Sequence, residues 1–284
     1  MSTFSNQATL SYNTSVINSN VVTGEIQQVL TVQKDSVVDE YVANDVLTYV
    51  ISLVNSGTTA YTNLTISDDL GAYIFGGTTV TPMTSVPESV LFYVNGTLQD
   101  APTVVAGPPL VISGLSVPAG GSAVLIYRAA LNSYAPLDVG SEITNTATIS
   151  GDGVLSDIQT SETVVVSNSP NLTITKSVNP QTVVENGQLT YTFIIENSGN
   201  APATAGDNAV ITDTFDPVLE SIQVNFNGNA WVPPTNYTYN TATGAFASVA
   251  GQVTVPAATY TQDPTTGVWT VTPGVSVLTI SGTI

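Results

Sequence analysis

The chain has 284 residues, 42% of them hydrophobic and only 8% charged, enough for about two domains with their own cores and unlike a disordered chain. Three Lys plus Arg against 21 Asp plus Glu give a net charge of −18, which excludes nucleic acid and anionic membranes as partners, because cationic phosphate contacts are lacking. Histidine and cysteine are absent, so the usual general base, thiolate nucleophile, zinc ligands and disulfides are missing; no enzyme, cofactor or metal is expected.

Along the chain, Thr, Val, Ser, Asn and Gly dominate and no stretch carries a 3.6-residue apolar period. No apolar run reaches the ~18 residues of a membrane-spanning helix, and the first residues, Met1-Ser2-Thr3-Phe4-Ser5-Asn6, lack the features of a signal peptide. Residues 1–28 read as an arm of two strands, Ser5–Tyr12 and Asn20–Val29, joined by a polar turn.

Residues 29–167 read as a first domain. It opens with Val32-Gln33-Lys34-Asp35-Ser36-Val37 and continues with Leu47, Tyr49, Ile51 and Leu53 alternating with less apolar neighbours. Asn55-Ser56-Gly57 and Ile66-Ser67-Asp68 follow, then a strand-like Leu91–Val94 before Asn95-Gly96, a type I′ hairpin signal. Val124, Ile126 and Arg128 flank a further alternating run, and Glu142–Ser150 and Ile158–Val166 close the copy. A short linker, Ser167-Asn168-Ser169-Pro170, leads into residues 168–284.

That second copy repeats the first, without a gap through its first two strands. Ile174-Thr175-Lys176 matches Val32-Gln33-Lys34, and Leu189-Thr190-Tyr191 with Asn197-Ser198-Gly199 matches Leu47-Thr48-Tyr49 with Asn55-Ser56-Gly57. Turn signals recur at Asn186-Gly187 and Asn227-Gly228, and Ile211-Thr212-Asp213 matches Ile66-Ser67-Asp68. The copy runs to Val275–Ile284, the match of Gly121–Leu131, and is expected to lack the last two strands. The arm offers both: Phe4-Ser5-Asn6-Gln7-Ala8-Thr9-Leu10-Ser11 resembles Ile143-Thr144-Asn145-Thr146-Ala147-Thr148-Ile149-Ser150. The expected fold is all-β: two tandem immunoglobulin-like sandwiches, the second incomplete and completed by an N-terminal donor-strand arm.

The Lys-bearing first strand, Leu-Thr-Tyr, Asn-Ser-Gly, Ile-Thr-Asp-Thr-Phe and Thr-Asn-Thr-Ala-Thr together resemble the bacterial surface repeat called domain of unknown function eleven. The resemblance covers most of the chain and implies immunoglobulin-like sandwiches in surface-exposed proteins. Small members from spore-forming anaerobes, some associated with spore appendages, are similar in size. It implies an extracellular place on a bacterial cell or spore surface.

An arm that matches strands missing elsewhere can fold back on its own chain or enter a neighbour. Short connections on both sides of the first domain favour head-to-tail insertion, which propagates into a filament. The expected function is therefore a self-assembling structural subunit, a homopolymer. The alternative is a monomeric surface adhesin or carbohydrate-binding module, using Trp231, Trp269, Tyr237, Tyr239, Phe246 and Tyr260, although packing explains such residues more often.

Lys34 and Lys176 are the only lysines, at matching positions. Lysine, an acid and asparagine on neighbouring strands are what an isopeptide bond requires: a desolvated amine attacks a carboxamide polarised by a protonated carboxyl. The expected sets are Lys34, Asn145 and Asp68 within the first domain, and Lys176, Asn6 and Asp213 between subunits. The same groups occur in isopeptide-bearing pilus domains, a resemblance in that respect only. The competing reading is simple ion pairing of each lysine. Asp68, Asp69, Asp207, Asp213 and Asp216 lack the spacing of a calcium loop.

Overall fold

The structure is a computed structural model that describes residues 2–284. Among the described residues the chain is all strand and loop, apart from one 3-10 turn at Ala205–Asp207. It divides into two compact units. The first holds residues up to Asp39, 44–132 and 143–164; the second holds 40–43, 133–142 and 165–284.

The first unit is a β-sandwich. One sheet runs Thr97–Leu98, Leu91–Val94, Ser122–Leu131, Val46–Asn55, Leu30–Ser36, and the other includes Thr103–Val105, Leu110–Val117, Tyr61–Asp68, Glu142–Asp152, Ile158–Val166 in that order. Strict alternation puts Leu47, Tyr49, Ile51 and Leu53 inside, facing Leu64, Ile66, Ile112 and Ile149. On Ser122–Leu131 the inward residues are Ala123, Leu125, Tyr127 and Ala129, so Val124, Ile126 and Arg128 do flank the buried row. Asn95 and Gly96 both take positive φ in the hairpin between Leu91–Val94 and Thr97–Leu98, as a type I′ turn requires.

In the second unit the sheet order is Leu172–Asn179, Gln188–Asn197, Gly274–Thr283, Glu220–Phe226, Asn229–Trp231. A smaller sheet, Thr212–Thr214, Ala245–Ser248, Tyr237–Tyr239, lies with it, and Phe193, Ile195, Phe215, Phe226, Leu278 and Ile280 form the core. The strand registers repeat those of the first unit: Tyr127 lies opposite Tyr49, and Ile280 lies opposite Tyr191. The Asn-Ser-Gly segments perform the same local work in both. Asn55 donates to the Thr59 and Pro118 carbonyls and accepts from the Gly57 N–H; Asn197 does so with Ala201, Pro256 and Gly199.

The two units differ in what covers them. Tyr61–Asp68 is internal to its sheet, between Leu110–Val117 and Glu142–Asp152. Its counterpart Thr212–Thr214 is an edge strand. Leu30 is 1% exposed, and Leu172, at the same repeat position, is 38% exposed.

The arm is a β-hairpin built from four short strands where two were expected. Ser2–Asn6 pairs with Val22–Ile26, and Thr9–Tyr12 pairs with Ser15–Asn18 across a two-residue turn at Asn13, which has φ 52. The expected polar turn is thus largely strand. The interruption has a local cause: the Ser19 hydroxyl accepts from the Ala8 N–H, and Gln7 donates to the Ser19 carbonyl. These side-chain bonds hold one extra residue in the returning strand, a bulge that keeps Val22 and Ile17 on the same face.

Candidate functional site

Alternation along the arm puts Phe4, Asn6, Ala8, Leu10 and Tyr12 on one face, joined there by cross-strand Ile17 and Val22. Phe4, Leu10, Tyr12, Ile17 and Val22 are each more than half exposed. The matching residues of Glu142–Asp152, namely Ile143, Asn145, Ala147 and Ile149, are all buried. In both hairpins a single asparagine interrupts the apolar row. The partner strands are also in closely similar register: the Thr144 and Thr163 hydroxyls meet at 2.8 Å, and Ser5 lies opposite Thr23. The Phe4 ring lies over Gly24, whose missing side chain leaves the space for it.

In the first unit Lys34, Asp68 and Asn145 come together, and a fourth residue links them. Lys34 projects inward from Leu30–Ser36 and donates from Nζ to Asp68 Oδ2 at 2.6 Å, with both side chains fully buried. The Leu70 N–H holds Asp68 Oδ1, which turns Oδ2 toward the lysine. The Tyr127 hydroxyl donates to the same Oδ2 at 2.5 Å and accepts from Asn145 Nδ2 at 3.2 Å. Asn145 is reached because Ala147 pairs with Asp68, which puts Asn145 diagonally across on the same face. Its Oδ1 is buried without a hydrogen-bond partner.

The surroundings favour the neutral amine. Burial lowers the Lys34 pKa, opposed by the adjacent Asp68. The lysine lies 4.9 Å from the Tyr49 ring, which stacks on Tyr127 at 5.5 Å. Burial, and after it the Asp68 charge, raises the Tyr127 phenol well above its usual range, so it stays protonated.

The sequence reading missed Tyr127. The signal available was its inward position directly opposite Tyr49, together with its replacement by Ile280 in the other copy.

In the second unit Lys176 donates to Asp213 Oδ2 at 2.5 Å, and its ammonium lies 4.5 Å from Tyr191, 5.4 Å from Phe215 and 5.5 Å from Phe193. The Lys176 side chain is 40% exposed and Asp213 17%. Asn6 lies on the arm, paired with Val22, on the exposed apolar face.

The remaining candidates have local roles. Asp69 accepts from Gly71 and Thr146 N–H groups, Asp207 accepts from the Thr204 N–H and hydroxyl, and Asp216 lies on an exposed loop. Tyr237 is buried and stacks on Phe246, Trp231 stacks on Phe226, and Tyr239 bonds the Leu219 backbone through its hydroxyl. Tyr260 donates to the Ser198 carbonyl, and Trp269 belongs to a hairpin with Thr259–Gln262. These aromatics therefore make packing and backbone contacts.

No protein-family model matches the chain, and no curated protein matches it. Solved structures are similar to it at low identity. The pilus backbone subunit RrgB of Streptococcus pneumoniae aligns with 86% of the chain at 12% identity and a TM-score of 0.34. A D312A variant of BcpA, the major pilin subunit of Bacillus cereus, aligns with 85% at 10% identity and 0.38. The chain spans 55% and 62% of those two proteins. The collagen-binding subdomain of the Enterococcus faecalis surface protein ACE aligns over its whole length with 51% of the chain, at 10% identity and a TM-score of 0.32.

Proposed function

We infer that the protein is a structural subunit of an extracellular bacterial filament, assembled head to tail by insertion of the arm hairpin into residues 168–284 of the next subunit. The observation that carries this is a matched pair of deficiencies. The arm holds an apolar row with one asparagine, exposed, in the pattern that Glu142–Asp152 buries. Thr212–Thr214 is an edge strand at the place where Tyr61–Asp68 is paired with Glu142–Asp152. An unpaired edge and an unpartnered apolar face each invite association, and strand addition satisfies both with backbone bonds and side-chain pockets.

The repeat sets the register of the insertion. Ala147 lies opposite Asp68, so Ala8 goes opposite Asp213 and Asn6 comes next to Lys176. The lysine then loses its exposure, and its amine attacks the Asn6 carboxamide carbon, forming an amide and releasing ammonia. The same reaction joins Lys34 to Asn145 within the first domain. The filament is thereby covalent along its length and closed by chemistry that each residue performs once.

The test is a denaturing gel with electron microscopy of wild type, Lys176→Ala, Asn6→Ala and a chain lacking residues 2–28. The expected result is a heat-stable ladder with filaments in wild type. Both point variants should keep filaments that dissociate to monomer on the gel, and the truncated chain should form neither. Filaments that persist without the arm would overturn the donor-strand reading.

A further inference from the structure

Among the described residues, the Tyr127 hydroxyl joins the acid to the carboxamide of the first cluster by hydrogen bonds to both, and the Lys–Asp–Asn set by itself leaves one proton without a path. When the amine of Lys34 attacks Asn145 Cγ, the C–Nδ2 bond must break, and Nδ2 departs as ammonia only after gaining a hydrogen. Asp68 can take a proton from Nζ across 2.6 Å. Nδ2, however, donates its hydrogen bond to the Tyr127 oxygen and not to the carboxylate. The site is fully buried, so bulk water is a poor alternative donor.

We propose that Tyr127 relays a proton from Asp68 to the leaving nitrogen of Asn145 during formation of the Lys34–Asn145 bond. This rests on the reading that the bond forms. The geometry supplies the sequence Nζ, Asp68 Oδ2, Tyr127 Oη, Asn145 Nδ2, with successive separations of 2.6, 2.5 and 3.2 Å. Before reaction the carboxamide nitrogen is a donor and the phenol oxygen its acceptor. Attack at Cγ makes that nitrogen tetrahedral and gives it a free lone pair. The hydrogen bond then reverses: Tyr127 donates to Nδ2 as it accepts from the protonated carboxyl.

The balance closes. Of the three hydrogens on the charged amine, one stays in the new amide and one reaches Nδ2 through Asp68 and Tyr127. The third first moves to Asp68 and can leave with ammonia as ammonium. No oxidant, metal or co-reactant is required. Burial keeps the phenol protonated, which a relay needs and a phenolate could not provide.

The role is specific to the hydroxyl. The Tyr127 ring also stacks on Tyr49, so phenylalanine keeps the ring packing and removes the hydroxyl that joins Asp68 to Asn145. In the second unit the position is Ile280, so the relay belongs to the closed first domain, and at the subunit seam, where Lys176 is 40% exposed before assembly, the departing nitrogen takes its proton from water.

The experiment follows intact mass after a short pulse of cell-free synthesis, for wild type, Tyr127→Phe, Lys34→Met and a chain carrying 3-fluorotyrosine at position 127. Loss of the ammonia mass in wild type, and none in Lys34→Met, establishes the underlying reaction; no loss in wild type overturns that reading and the relay with it. Given the loss, Tyr127→Phe is expected to react about 100-fold or more slowly, in the range of general acid–base contributions. An unchanged rate overturns the relay alone. Fluorotyrosine, a more acidic phenol of nearly the same shape, should restore the bond at an altered rate. The wild-type rate there would assign Tyr127 to packing, and this arm decides the matter if the phenylalanine variant fails to fold.

Discussion

Lys34 and Lys176 occupy the same position in two copies of one sandwich, each paired with an aspartate, and they differ in exposure: 0% for one side chain, 40% for the other. The aromatic setting is shared, Tyr49 at 4.9 Å from one amine and Tyr191 at 4.5 Å from the other. What differs is the neighbouring sheet. Asp68 sits on an internal strand beside Glu142–Asp152, whereas Asp213 sits on an edge. A dry lysine is a nucleophile, and a wet one is a solvated cation. In the proposed assembly, insertion of the arm converts the second into the first, which confines the intersubunit reaction to correctly seated neighbours.

The same difference gives unequal effects to one substitution made in both copies. Asp68→Asn leaves Lys34 buried without its carboxylate and is expected to destabilise the first domain by about 3–5 kcal/mol. Asp213→Asn weakens a partly exposed pair and should change an unassembled subunit by only about 0–1 kcal/mol. Urea unfolding of the two variants in an arm-deleted Asn145→Ala background, in which no bond forms, measures both. Equal effects would contradict the contrast in exposure.

A charge placed in the apolar row of the arm should act on assembly alone. Leu10 is 63% exposed, so Leu10→Asp removes little buried contact from the free subunit. In the proposed filament the same side chain lies in the acceptor core, where an unpaired carboxylate costs several kcal/mol. The expected outcome is an unchanged thermal transition with filament formation lost. Ser11→Asp, on the opposite face, should assemble; failure of both variants equally would indicate general repulsion in an already acidic chain.

Much of this arrangement could be read from the chain, because the repeat runs without a gap from the lysine strand through Asn-Ser-Gly and carries its register with it. Lys34 with Lys176 and Asn55 with Asn197 were legible, and the asparagine pair makes equivalent bonds to equivalent carbonyls. Tyr127 was not, since its role depends on which way one strand faces and on what the opposite sheet brings near it. The split of the arm strands was also hidden. It follows from side-chain bonds of Gln7, in sequence an ordinary strand position, and Ser19, which in sequence belongs to the polar turn.

An uncross-linked first domain should show an unusual pH profile. In Asn145→Ala the lysine is buried and free of the amide, and burial holds its pKa below the usual 10.5. Between the lowered value and 10.5 the unfolded chain binds a proton that the folded chain does not, so stability rises with pH there. Tyr49 and Tyr127 act oppositely, because burial raises both above 10.0. Past that point the unfolded phenols ionise while the folded ones stay protonated, and stability falls. Urea midpoints from neutral pH upward should therefore pass through a maximum near pH 10.0. A profile that stays flat up to pH 10.0 and then falls, with no rise before it, would show that Lys34 keeps its proton in the folded chain.

The cross-link itself should be visible as stability. Lys34 and Asn145 lie on strands that belong to opposite sheets, Leu30–Ser36 and Glu142–Asp152, so the bond ties the sandwich faces together. It closes a loop of about 110 residues, and a covalent closure of that length restricts the unfolded chain by about 4–5 kcal/mol in the loop-entropy account. Wild type should be lighter than the mass computed from its sequence by about 17 Da, one ammonia, for each bond formed. Asn145→Ala should lack the first-domain loss and unfold at markedly lower temperature. Lys34→Met combined with Asp68→Asn removes the bond without leaving a polar vacancy at Asn145 or an unpaired buried carboxylate, which separates the two contributions. If it unfolds at the wild-type temperature while lacking the mass loss, the bond serves filament covalency and not domain stability.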